Sequence, residues 1–175
     1  MKRVILFFAV VMMLLFATSI FAQVKIGVFD MQEVMVKSLN GAQIKKDLEK
    51  KKAYYTNEIK KRESALKKMK QDLEKKAMML SKDARDQAEN DYQKKLRDLK
   101  LYASDSENDL KQMYRDRTQW LINDILKFAR DFAKKKNFTI LIERQEGGVV
   151  FADKSIDITE ALLKAYNEYS LKKKK

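Results

Sequence analysis

From Leu48 onward, one side of the pattern returns at alternating intervals of four and three: Leu48, Lys52, Tyr55, Ile59, Arg62, Leu66, Met69, Leu73, Lys76 and Leu80. Seven of these ten are apolar, and the other three are long side chains whose stems can lie along a seam. This is the stripe of a coiled-coil helix. A second stripe, in a different phase, runs through Tyr92, Leu96, Leu99, Ala103, Ser106, Leu110, Met113 and Arg117, then richens at Leu121, Ile125, Phe128 and Phe132. Between them, Ser81 to Asp86 holds no large apolar residue and opens on a good helix cap. The spacing predicts a reversal near residues 80–85, with Ser81 capping the second helix and each stripe burying the other. One straight helix over the 105 residues from 42 to 146, which contain neither Gly nor Pro, would instead extend about 158 Å.

Acid-to-base pairs four apart reinforce the helical reading: Asp47 with Lys51, Glu58 with Arg62, Glu63 with Lys67, Asp72 with Lys76, Asp91 with Lys95 and Glu107 with Lys111. Each contributes only about 0.2–0.5 kcal/mol, so they tune helix formation without choosing the fold.

Outside the arms the period changes to two. Val24–Asp30 alternates apolar residues, Phe138–Glu143 is β-branched and aromatic, and Val149–Ala152 follows Gly147-Gly148 as a hairpin return. A last helix begins near Asp157 or Thr159, where Asp157 with Glu160 has the form of a capping box. The expected fold is thus α+β and mainly α, with helical arms over 42–136 and a small β body from 23–41 and 137–175. About 60 residues make a marginal core, and a three-stranded sheet leaves two open edges. Self-association through Ile26, Val28, Phe29, Ile140, Ile142 and Val150 would relieve both.

Residues 1–22 differ in kind. Lys2 and Arg3 precede 14 unbroken apolar residues, Val4 to Ala17, and a small-ended tail closes at Ala22, the layout of an export signal cut after Ala22. Without that cut the chain would be a membrane-tethered coiled-coil scaffold, the alternative from another functional class.

Composition narrows the chemistry. The 175 residues include no Cys and no His, which removes disulfides, lipid-bearing cysteine, thiol nucleophiles and the commonest general base and metal ligand. Asp30, Asp153 and Asp157 are the carboxylates near the body that could pair for acid/base work, and no Gly-rich phosphate loop or ligand cluster accompanies them. No enzyme, cofactor or metal is expected.

The net charge of +13 falls to +11 without residues 1–22, and residues 42–80 alone hold 13 basic and 6 acidic groups. A solvated helix face explains balanced charge, not a surplus of seven. Lys60, Lys61, Lys67, Lys68 and Lys75 therefore mark a basic wall for acidic partners, and Met69, Leu73, Met78 and Met79 a polarizable apolar surface suited to promiscuous binding. Outside the cell membrane those partners are anionic lipid, lipopolysaccharide or acidic stretches of exported proteins, not nucleic acid.

The order of motifs resembles the OmpH/Skp family: the signal, Lys-Ile-Gly-Val-Phe-Asp-Met-Gln-Glu-Val (25–34), the Ser38/Gly41 turn, a Lys/Glu-rich hairpin with Leu-Ser-Lys-Asp-Ala-Arg at 80–85, then Phe-Thr-Ile-Leu-Ile-Glu (138–143), Val-Phe-Ala-Asp (150–153) and Asp-Ile-Thr-Glu-Ala-Leu-Leu (157–163). Lys154 stands where family members often carry proline. The resemblance implies a periplasmic, ATP-independent holdase, a homotrimer whose strands form a central barrel and whose arms enclose unfolded outer-membrane proteins. It implies no catalytic residue.

Overall fold

The computed structural model describes residues 24–173; the expected export signal lies outside them. The order is β1 (Ile26–Phe29), α1 (Met31–Lys37), α2 (Leu39–Lys76), α3 (Lys82–Lys135), β2 (Ile140–Glu143) and α4 (Thr159–Lys173). Among the described residues, no helix is long and apolar enough to cross a membrane.

The arms are α2 and α3, of 38 and 54 residues, about 57 and 81 Å at 1.5 Å per residue. The reversal occupies residues 77–81, slightly before the expected tip. Ser81 caps α3, its Oγ accepting from Ala84 N at 3.3 Å. Along the seam, Leu66 and Ser106 are buried, while Tyr55, Ile59, Met69, Leu73, Leu96, Leu99 and Leu110 are half-buried.

Six acid–base pairs were expected along the arms, and of these only Glu107–Lys111 closes as an ion pair among the described residues, at 2.6 Å. Nearer partners win elsewhere. Glu58 takes Lys61 at 2.6 Å, Lys51 crosses the seam to Asp109 at 3.5 Å, and Arg62 stacks on Tyr102 at 3.9 Å.

At the other end of the arms, Ser38 separates α1 from α2. Its amide closes α1 onto Val34 O and its Oγ accepts from Gly41 N at 3.1 Å. The side chain thus starts one helix where its backbone ends another. Gly41 is needed for space: a Cβ there would lie 1.8 Å from Met35 O. Being longer than α2, α3 runs on into the body and places Leu121, Ile125, Ala129 and Phe132 in the core with Phe29, Val34, Leu162 and Tyr166. It ends on a left-handed Asn137 (φ 55°), with Phe138 N donating to Ala133 O at 3.0 Å. That turn lays Phe138 against Phe132, ring centroids 6.3 Å apart.

Among the described residues the sheet has two strands, paired in parallel with Ile26 opposite Ile140 and Phe29 opposite Glu143. The whole hairpin serves as the long connection that a parallel pair requires. The expected third strand at 149–152 is not one. Gly147 N donates to Glu143 O and Val149 N to Arg144 O, both at 2.9 Å, and the chain leaves the sheet. Residues 156–158 take the place instead, on the opposite edge of β1, where Val28 N donates to Ile156 O and Ile158 N to Val28 O, both at 2.8 Å. β1 is therefore central, which accounts for the burial of Val28 and Phe29.

Candidate functional site

The hairpin offers three zones: a pinned base, a clamped middle and an exposed distal arm. At the base, Tyr166 OH donates to Asp124 Oδ2 at 2.8 Å and accepts from Asn40 Nδ2 at 3.0 Å. Asn40 also reaches Ser170 Oγ at 3.2 Å, and Lys173 Nζ pairs with Asp124 at 3.0 Å. This knot ties the start of α2, the late part of α3 and α4 together. Burial first, and the Asp124 carboxylate after it, push the Tyr166 hydroxyl well above the ordinary tyrosine range, so it stays a neutral donor.

Midway along the arms, Tyr55 OH donates to Asp109 Oδ2 at 2.5 Å, and its ring meets Tyr102 edge-on at 6.1 Å. The Tyr55 hydrogen bond holds the Asp109 carboxyl below the usual range, with Lys51 adding to it. These contacts fix α2 against α3 where apolar packing is thin.

Beyond the clamp lie the proposed client-facing residues. Met69, Leu73 and Lys68 meet Leu80 and Ala88 in a groove of about 450 Å³ between the arms. Lys60, Lys61 and Lys68 line a second depression with Asn57 and Ser64. Lys61, Lys68 and Lys75 recur every seven residues and so share one side of α2, while Lys67 follows Lys60 at the same interval. All five lysines are exposed. Met78 and Met79 stand at the turn, fully and largely exposed, and belong to neither groove.

The three aspartates singled out in the body, Asp30, Asp153 and Asp157, are each occupied structurally. Asp30 caps α1, Oδ1 accepting from Glu33 N at 2.9 Å. Asp153 accepts from Ser155 N at 2.8 Å. Asp157 Oδ1 accepts from Thr159 N and Oγ1 at 2.9 and 2.6 Å, a turn closed two residues on, and its Oδ2 takes Arg144. Burial alone would raise the Asp157 carboxyl, but the Thr159 and Arg144 hydrogen bonds outweigh it and hold it low. Arg144, which the sequence did not single out, also approaches Asp30 at 3.8 Å and thereby joins both ends of the body.

Of the residues expected to meet another copy, Val28 and Phe29 lie in the protomer's own core and Ile142 is half-buried, whereas Ile26, Ile140 and Val150 are exposed.

The chain matches the family model described as outer membrane protein (OmpH-like) over residues 25–166. It is 26% identical over 168 residues to the Skp-like protein of Pseudomonas aeruginosa PAO1, covering 96% of this chain and 99% of that one. Its fold is similar to the crystal structure of a Caulobacter crescentus CB15 protein provisionally described as an outer membrane chaperone (OmpH-like), with TM-score 0.77, 16% identity and coverage of 83% and 85% of the two chains.

Proposed function

Because the chain belongs to the OmpH-like outer membrane protein family, we propose that it is an ATP-independent periplasmic chaperone that holds unfolded outer-membrane proteins against its helical arms. The chaperone description of the Caulobacter protein and the Skp-like name of the Pseudomonas relative support this reading. The observation that carries it is the distal arm itself. There the two helices bury little, surround a shallow Met69/Leu73 groove with lysines, and end on exposed Met78 and Met79. Thioether and aliphatic surface accepts many apolar sequences, and each contact is weak enough to be released without a nucleotide. The lysine rows add attraction for acidic client loops, and the same chemistry would take anionic lipid or lipopolysaccharide.

The body assembles three copies through the β2 edge and its exposed neighbours Ile26, Ile140 and Val150, so that three hairpins surround one client. Residues 1–22 direct export and are removed after Ala22.

The test is whether the purified protein keeps a urea-unfolded outer-membrane barrel protein soluble on dilution. Suppression of light scattering near one assembly per client is expected. Unchanged precipitation at excess chaperone would refute the proposal, and a mature protein beginning at Met1 rather than Gln23 would refute the export step.

A further inference from the structure

At the outermost point of the hairpin, where α2 turns back towards α3, two consecutive thioethers stand in water. Met78 is 100% exposed and Met79 81%. The turn that carries them is closed by Met79 N and Leu80 N, which donate to Lys76 O at 2.9 and 3.1 Å, so the main chain is held while both side chains stand clear of it. The other methionines among the described residues are sheltered: Met31 is buried in the core, and Met35, Met69 and Met113 are half-buried. The chain has no cysteine. Thioether is therefore its only oxidisable sulfur, and the fully accessible thioethers of the described residues are gathered at one turn.

Exposure decides how such a group reacts. With a peroxide, the sulfur lone pair attacks one peroxide oxygen; the S–O bond forms as the O–O bond breaks, and a proton passes to the departing oxygen, which leaves as water. Sulfur gives up two electrons and the peroxide takes them. Access of the oxidant and transfer of the proton both need solvent, which Met78 and Met79 have and Met31 lacks. The product is polar and chiral where the thioether was apolar and flexible. At an exposed turn the added oxygen displaces no neighbour, so the fold loses nothing by it. A surface that works by thioether contact with apolar chains loses its character.

We propose that Met78 and Met79 form a modification site, at which a two-electron oxidant of the peroxide class reversibly turns the hairpin tip from apolar to polar and so weakens its hold on unfolded clients. Reversal needs a methionine sulfoxide reductase, an enzyme that must reach the residue, and the exposed turn permits that. The modification stands on exposure and composition; its effect on clients rests on the proposed holdase reading.

Trypsin cuts after Lys76 and Lys82, so both methionines fall in one peptide, residues 77–82, that contains no other. Full-length protein is treated with hydrogen peroxide and mapped by mass spectrometry over time. Two added oxygens in that peptide are expected at least about tenfold sooner than oxidation of Met31, with helicity unchanged by circular dichroism. Several-fold more of the oxidised protein should then be needed to keep the unfolded barrel protein soluble, and a sulfoxide reductase with a thiol reductant should restore the original dose. A Met78→Leu, Met79→Leu variant, compared only with itself before and after peroxide, should show no change in dose.

Oxidation of the 77–82 peptide no faster than that of Met31 would overturn the site. Full oxidation with client protection undiminished would overturn the switch and leave client holding intact. A peroxide-induced loss of the same size in the Leu variant would also overturn it, by placing the sensitive sulfur elsewhere. Untreated protein that protects no client would refute the holdase reading and the switch together, with the peptide map still deciding the modification itself.

Discussion

At the base of the hairpin, Leu121, Ile125, Ala129 and Phe132 are buried against α1, α4 and β1, and the polar knot around Tyr166 leaves no buried side-chain donor or acceptor unsatisfied among the described residues. Outward from Tyr55, the same two helices bury only Leu66 and Ser106. The difference follows from partners. α3 meets other elements at its C-terminal end, whereas further out each helix has only the other, and a two-helix layer covers one side of each seam residue. Stability is therefore concentrated at the base of the hairpin, and the distal surface stays adaptable.

The largest effect should come from emptying the base. Ile125→Ala, at a position with no exposure, should cost about 3–4 kcal/mol, read as a lower urea midpoint for the whole protein. Leu66→Ala in the arm should shift that midpoint far less and instead speed amide exchange in residues around it, because the cavity opens to solvent. Equal midpoint shifts would erase the distinction between the two regions.

Next comes the knot. Tyr166→Phe removes the donor to Asp124 and the acceptor of Asn40, a loss of about 1–3 kcal/mol measurable by thermal melting. The folded protein holds the Tyr166 proton more tightly than the unfolded chain does. Its contribution is thus complete below the ordinary tyrosine pKa of about 10 and declines as pH rises above it. Wild-type protein should lose stability in alkali more steeply than the Phe variant.

At the distal end, Met78→Ser with Met79→Ser should leave stability within about 0.5 kcal/mol, since both side chains are exposed, while reducing client protection. Smallest of all is the clamp. Asp109→Asn should not change the global melt measurably at neutral pH. The wild-type carboxyl is held low by Tyr55, so its contribution is present above the ordinary carboxylate range and disappears only as pH falls below it. Faster exchange near Tyr55 and Tyr102 should be the visible trace.

The seam was legible because period 3.5 is written directly in residues such as Leu66, Leu73, Leu96 and Leu110, and Ser81 announced its cap by composition alone. The sheet was less so. Val149–Ala152 has strand-like residues, but pairing depends on which segment reaches β1. That is decided by Arg144 holding Asp157, a contact between residues 13 apart with no periodic signature. The same limit hid the mid-arm clamp: Lys51 and Arg62 have good partners in sequence, and only the fold brings Asp109 and Tyr102 closer. Of the candidate surface, the lysine rows follow from seven-residue spacing, whereas the Met69/Leu73 groove needs α2 and α3 together and could not be read from either alone.

Hydrogen exchange of the full-length protein, with and without an unfolded outer-membrane barrel protein, tests the division most directly. Amides of residues 60–90 should exchange quickly alone and slow several-fold with client, while those around Ile125 and Leu162 stay slow in both states. Protection by client confined to the base, or a distal arm as slow as the base before client is added, would contradict it.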